Sequence, residues 1–302
     1  EAQALAASPL ACLPAVHGVV AGRRSDWISM EYIHGVSLRD VFAQGLEPSE
    51  ASTLAAVAVR SLAALHCAGR DHGDFKPENA IFEPDGRLRL VDLGFSGAGT
   101  ESVQGGTVGY IAPERGAASC DGRRADLWSL GVAVHEILVG ARPSPSEGAS
   151  GWKRLRVAAP DWVPIVDLLL RDDPKRRPAS AEALVAELPE VHPFEPVFLE
   201  KIREQADRNL AGRMVDEAAY LLRDGSPSQA LSLLQQALEL DPDQSGALGL
   251  LPQVRIGKKR PNPRRWGLAA AVLVVAGIVV LMFLSRRREP VAPVVRASLS
   301  KD

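Results

Sequence analysis

Cysteine is scarce in this chain: Cys12, Cys67 and Cys120 are the only three in 302 residues. An odd number of thiols cannot pair fully within one chain, and no C-x-x-C spacing suggests zinc. Three free thiols in a reducing compartment is the reading these positions support. A dominant charge is lacking too. The formal net charge of -2 gives no overall pull toward nucleic acid or an anionic surface, and no nucleic-acid partner is expected. A leader is also missing, since the first residue is Glu1 and no basic, apolar, cleavable segment follows it. The start therefore reads as a cut edge.

What is present falls into zones. Residues 1–191 mix short strand-like and helical patterns, and residues 192–253 read as helices only. Residues 254–265 form a basic, Pro-containing linker, 266–285 a largely apolar run, and 286–302 a short tail. In the first zone Trp27 to Tyr32 reads as a strand ending near a turn at His34-Gly35. Ser49 is the expected N-cap of a helix whose face is Leu54, Val57, Ala58, Leu62 and Leu65. Ala80–Glu83 and Arg87–Val91 flank Pro84-Asp85-Gly86 and predict a hairpin. Ala125 to Val139 is apolar nearly all round and predicts a buried helix, ended by Gly140, Pro143 and Pro145. In the second zone Ser226-Pro227 predicts a helix start and Asp241-Pro242 its stop, with Ala230, Leu233, Leu234, Ala237 and Leu238 on one face.

The chemistry is concentrated in two stretches, His72-Gly73-Asp74-Phe75-Lys76-Pro77-Glu78-Asn79 and Val91-Asp92-Leu93-Gly94. The hairpin between them folds the chain back, so Asn79 and Asp92 can converge. Either aspartate alone would pass for a turn or capping carboxylate. The ordered set is what phosphoryl transfer needs: a carboxylate to take the proton of an attacking hydroxyl, a second carboxylate and an amide oxygen to hold magnesium, and a cation to offset charge. Asp74 fits the base, Asp92 and Asn79 the metal ligands, and Lys76 the cation.

At these residues the chain resembles the eukaryotic-like serine/threonine protein kinases. The resemblance continues in order through Gly106-Thr107-Val108-Gly109-Tyr110-Ile111-Ala112-Pro113-Glu114, which looks like the end of an activation segment. Asp126-Leu127-Trp128-Ser129-Leu130-Gly131 looks like the start of the central large-lobe helix, and Asp173-Pro174-Lys175-Arg176-Arg177-Pro178 like the late-lobe arginine motif. The resemblance implies that Arg177 pairs with Glu114. It also implies that Met30-Glu31-Tyr32-Ile33 is gatekeeper and hinge, with Glu31 and Ile33 facing adenine, and that Glu1 is the small-lobe glutamate that pairs with the ATP-binding lysine. Lys76 and Thr107 resemble the serine/threonine class more than the tyrosine class.

The implied fold is α+β: a protein-kinase-like domain over 1–191 with a partial small lobe and a mainly helical large lobe. ATP and Mg2+ are the implied cofactors, and protein serines and threonines the implied substrates, in membrane-associated signalling. Residues 206–250 resemble one tetratricopeptide-type helix pair. One repeat cannot build a solenoid, so a helical spacer packed on the kinase lobe is expected, with a protein-partner groove as the alternative.

Three features depart from the family pattern. The Gly-rich loop and its lysine are absent from residues 1–302, Gly73 replaces the arginine before Asp74, and Leu93 replaces the phenylalanine after Asp92. Without that arginine, activation by loop phosphorylation is disfavoured. A non-catalytic pseudokinase scaffold is the alternative function. A small-molecule phosphotransferase, which shares His-Gly-Asp, is a further one, though those families lack the Ala-Pro-Glu segment. Finally, Gly267 to Leu284 carries no charge, and Lys258, Lys259, Arg260, Arg264 and Arg265 precede it while Arg286, Arg287 and Arg288 follow. This predicts one transmembrane helix over 266–285. The kinase part would then lie on the cytoplasmic side, where ATP is.

Overall fold

The computed structural model describes residues 10–20, 27–93, 109–116, 120–144 and 152–254. Strands β1 (Val16–Val20) and β2 (Trp27–Met30) pair antiparallel, with Val16 opposite Met30 and Val20 opposite Trp27. Residues 31–35 then run without regular structure into β3 (Val36–Ser37). The short helix α1 (Leu38–Ala43) follows, capped by the Ser37 side chain, which accepts from the Asp40 N–H.

Helix α2 spans Pro48–Cys67. Its N-cap is Glu47, two residues before the expected Ser49, because Pro48 takes the first helical position, where its missing N–H costs nothing. The Glu50 carboxylate accepts from the Glu47 N–H at 3.0 Å and satisfies one orphan donor of that end. The expected apolar face goes inward: Leu54, Ala58, Leu62 and Leu65 have no exposed surface, and Val57 is half-buried against the same core. The expected hairpin is β4 (Ala80–Phe82) and β5 (Leu88–Leu90), in register Ala80–Leu90 and Phe82–Leu88. β3 joins β4 to complete a three-stranded sheet.

Helix α3 (Gly122–Val139) is the axis of the larger part. From Ala125 to Leu138 every residue except Trp128 is buried. The helix stops where the sequence predicted, at Gly140, whose φ of 77° is left-handed and costs glycine no side-chain clash. Around α3 pack α2, α4 (Lys153–Ala158) and α5 (Val163–Leu169), while α6 (Glu182–Val185) packs on α2. Trp162, 1 % exposed, reaches back from beside α5, and its indole N–H donates to Ser52 Oγ at 2.8 Å.

Helix α7 (Pro196–Arg223) has 28 residues, about 42 Å at 1.5 Å per residue. Its first half belongs to the main core: Phe198, Ile202 and Ala206 are buried there. The Phe198 ring stacks on Phe194 at 5.0 Å and meets Phe82 of β4 at 6.1 Å. Its second half enters a separate small core. There Ala211 and Ala218 pack with Ala230, Leu234 and Ala237 of α8 (Pro227–Leu240) and Ala247 of α9 (Ser245–Leu250). Ser226 precedes α8 as expected, but its side chain makes no capping bond.

One expectation is corrected. Among the described residues no helix is long and apolar enough to cross a membrane. The longest, α7, carries Lys201, Arg203, Glu204, Asp207 and Arg208 within two turns and is far too polar. The transmembrane element of the expected fold and the single-pass membrane localisation drawn from it are therefore not supported. Residues 266–285, on which they rested, lie outside the described residues.

The aromatic stack that joins α7 to β4 gives a stability prediction. Phe198→Ala removes a ring 6 % exposed between Phe82 and Phe194 and is expected to cost about 3–5 kcal/mol. The midpoint of denaturant unfolding measures it, and an unshifted midpoint would show that α7 is not part of the main core.

Candidate active site

The loop from His72 to Asn79 leaves the end of α2 and closes into a 3-10 turn at Pro77–Asn79 just before β4. A buried carboxylate shapes it from beneath. Asp126, near the start of α3 and 1 % exposed, accepts the His72 N–H at 2.6 Å and the Gly73 N–H at 2.8 Å. His66 Nε2 lies 3.2 Å from the same carboxylate. His66 Nδ1 accepts the Ala181 N–H at 3.1 Å, so its proton sits on Nε2 and is donated to Asp126. Gly73 has φ of 80°, a conformation that would strain the arginine the family pattern places there and that glycine adopts freely. The Gly73 carbonyl accepts from the Arg115 guanidinium, so this peptide is held on both sides.

Past Gly73 the loop carries Asp74, Lys76 and Asn79. Asp74 Oδ2 accepts from Lys76 Nζ at 2.9 Å and from Asn79 Nδ2 at 3.1 Å. Asn79 Nδ2 also donates to the Asp74 carbonyl at 3.0 Å. With its nitrogen committed to Asp74, the oxygen of this amide is the end suited to a cation. The Val91 N–H donates to the Asn79 carbonyl at 2.9 Å, so Asp92 stands one residue beyond a direct link to Asn79. Asp92 is exposed and has φ of 53°, a left-handed conformation uncommon outside glycine and best tolerated by Asn and Asp. Leu93 beside it packs against the main core, so the apolar role of the replaced phenylalanine is kept.

Oxygen donors from one carboxylate and one amide suit Mg2+, which binds few protein groups and fills its shell with phosphate and water. Among the described residues no three His, Cys, Asp or Glu gather as a metal cage. An ion held by Asn79 and Asp92 would thus depend on nucleotide oxygens. His72 is wholly buried and its ring meets Phe75 edge-on at 5.7 Å. Burial pulls its pKa below the ordinary histidine range, against the opposing pull of Asp126 and Asp74, and keeps it neutral.

Two further clamps surround the loop. The Arg177 guanidinium, with no exposed surface, forks onto the Glu114 carboxylate at 2.6 and 3.0 Å. It also donates to the carbonyls of Arg124 at 2.9 Å and Arg171 at 2.8 Å and lies 5.0 Å over the Trp128 ring. The second clamp centres on Arg39 of α1, which donates to Glu78 at 2.9 Å, to Glu136 of α3 at 2.7 Å and to the Tyr110 hydroxyl. Tyr110 in turn donates to Glu136. Burial first, and then this bond, push the Tyr110 hydroxyl well above the usual tyrosine range, so it stays a donor.

Of the expected site residues, Asp74, Lys76 and Asn79 are in mutual contact, Asp92 is adjacent, and Asp126 lies beneath them. Glu31 and Ile33 lie in the irregular segment before β3, away from that cluster in sequence. The Glu31 carboxylate accepts from the Ala15 N–H at 3.0 Å and from Arg89 at 2.7 Å, and these two donors, the first foremost, lower its pKa. Glu1 and Thr107 lie outside the described residues. Sequence reasoning named Tyr110 only within the Gly106–Glu114 stretch, with no role, and did not find Arg39, Glu136 or Arg115. For Glu136 a signal existed, since it is a carboxylate inside an otherwise apolar helix, but for Arg39 and Arg115 nothing local distinguishes them from surface arginines.

The protein kinase domain model matches residues 12–244. CBL-interacting protein kinase 25 of Oryza sativa subsp. japonica is 32% identical over 189 residues, covering 54% of this chain and 36% of that protein. Serine/threonine-protein kinase PknL of Mycobacterium tuberculosis is 31% identical over 232 residues, covering 70% of this chain and 58% of PknL. Serine/threonine-protein kinase PAK 4 of Mus musculus is 31% identical over 186 residues, or 56% of this chain and 30% of PAK 4. The chain thus spans from 30% to 58% of the length of these relatives.

The Arg177–Glu114 fork is testable by itself. Arg177→Ala strands a largely buried carboxylate and is expected to lower the unfolding free energy by about 3–5 kcal/mol. Arg177→Lys keeps the charge but not the fork and is expected to rescue only part of that loss. Equal stability of the lysine variant and the parent in denaturant would show that charge alone suffices.

Proposed function

The chain belongs to the protein kinase family, and from that premise we propose that it transfers the γ-phosphoryl group of ATP to serine or threonine hydroxyls of proteins. The observation that carries the proposal is the Asp74 carboxylate, held by Lys76 and Asn79 on a loop pinned from below by buried Asp126. A base must stand in one orientation before the hydroxyl arrives, and this arrangement gives Asp74 one.

In the reaction the hydroxyl oxygen forms a bond to the γ-phosphorus, the bond from that phosphorus to the β-phosphate oxygen breaks, and the hydroxyl proton goes to Asp74. Lys76, 2.9 Å from Asp74, offsets charge on the transferred group. Asn79 and Asp92 would hold Mg2+, which supplies neutralisation of the phosphate oxygens. Glu31 and Ile33 would present backbone groups to adenine. The lysine two positions after Asp74 supports hydroxyls of serine and threonine over tyrosine, and the relatives named serine/threonine-protein kinases support the same choice. Glu114, the partner of Arg177, belongs to the Ala-Pro-Glu segment that small-molecule phosphotransferases lack, which favours a protein substrate.

Two substitutions separate chemistry from binding. Asp74→Asn is expected to lower kcat by about 100-fold or more, the usual contribution of a general base, while Mg-ATP binding measured by calorimetry persists. Asp92→Asn is expected to abolish the magnesium-dependent part of nucleotide binding. Transfer of labelled phosphate to a serine/threonine peptide library reads the first. Undiminished transfer by Asp74→Asn, or unchanged binding by Asp92→Asn, would sink the respective assignment.

A further inference from the structure

The segment from Glu31 to His34 has no backbone structure of its own, yet on the reading above it must hold adenine. One backbone bond, from the Glu31 N–H to the Ala15 carbonyl at 2.7 Å, ties its start, and side chains and their partners fix the rest. Glu31 is held by the Ala15 N–H and Arg89, and Ile33 is buried at 9 % exposure. The other two anchors come from α7. His34 Nε2 lies 2.9 Å from Asp207 Oδ1, and the Arg213 guanidinium sits 5.1 Å over the Tyr32 ring.

These contacts fall at a particular place on α7. Upstream of Asp207, Phe198, Ile202 and Ala206 are locked into the main core. Beyond it, Ala211 and Ala218 belong to the small core shared with α8 and α9. Asp207 and Arg213 therefore flank the passage from one core to the other, where the helix is a single continuous rod. A tilt of the helical pair relative to the lobe has to move these two side chains, and with them Tyr32 and His34.

We propose that Asp207 and Arg213 are positioning residues for the nucleotide: they hold Tyr32 and His34 so that the neighbouring backbone of Glu31 and Ile33 meets adenine, and they make ATP affinity depend on where the helical pair sits. The inference rests on the kinase reading above, since it needs that segment to be the adenine site. It assigns the pair a second role besides that of a spacer. Each contact is partly exposed, so its own strength is small. Its effect is on alignment, where a displacement far below a bond length weakens the nucleotide contacts without touching the phosphoryl-transfer residues.

The test is steady-state kinetics and Mg-ATP calorimetry on the full-length protein. Asp207→Ala and Arg213→Ala are each expected to raise KM for ATP about fivefold, as about 1 kcal/mol of lost alignment would, with kcat at saturating ATP and the melting temperature unchanged. Asp207→Asn, which still accepts from His34, and Arg213→Lys, which keeps a cation over Tyr32, are expected to restore the parent KM. His34→Ala is expected to add nothing in the Asp207→Ala background, since both remove one contact. A parent that binds Mg-ATP alongside alanine variants whose KM stays within about twofold of it overturns the inference alone. So does a loss confined to kcat. A parent that binds no Mg-ATP overturns the kinase reading and this inference together.

Discussion

The Asp126 carboxylate is the point on which the rest of this structure depends. It is 1 % exposed, and a charge that deep is tolerable only when its oxygens are filled. His72 N–H, Gly73 N–H and His66 Nε2 fill them. Because the acceptor sits on a helix buried nearly all round, the loop it holds cannot drift without stranding that charge. The cost of burial is thereby converted into the placement of Asp74.

The same helix supplies the other fixed points. Ser129 Oγ donates to the Tyr110 carbonyl at 2.8 Å, and Glu136 receives both Arg39 and the Tyr110 hydroxyl. Thus three polar groups of the mostly apolar α3, Asp126, Ser129 and Glu136, are aimed at two loops. Asp126 orders the loop that carries Asp74, while Ser129 and Glu136 order the segment that ends in Glu114. Arg177 closes the far side by gripping Glu114 and the carbonyl of Arg124 on α3 itself. Loops with little regular structure of their own are in this way held by a rigid axis, as a preorganised site requires.

The helical pair is less separate than its distinct composition suggests. Phe194 meets Phe82 of β4 edge-on and Phe198 meets it tilted, and Thr53 of α2 donates to the His192 carbonyl at 2.8 Å. The main core therefore continues past residue 192 into the first half of α7. What is distinct is the small core of alanines and leucines further along, which needs α7 as one of its walls. Both cores draw buried residues from that helix.

The sequence by itself determined the local elements and the order of the candidate site residues. The helix over Ala125–Val139 with its stop at Gly140, the hairpin around Pro84-Asp85-Gly86, and the set Asp74, Lys76, Asn79 and Asp92 are all legible, because periodicity, turn chemistry and short-range spacing are local properties. Helix α2 starts two residues before the expected Ser49 cap because a proline competed with a serine, a choice that only the backbone resolves. Apart from the Arg177–Glu114 pair, which the resemblance implied, the tertiary structure alone decided which charges are buried and who answers them. Arg39 meets Glu136 across 97 positions, Arg115 reaches the carbonyl of Gly73 across 42, and Asp207 reaches His34 across 173. Such pairings depend on how helices cross, and no residue's identity or neighbours record that crossing. It follows from the packing of the two cores, which places side chains together that the chain itself keeps far apart.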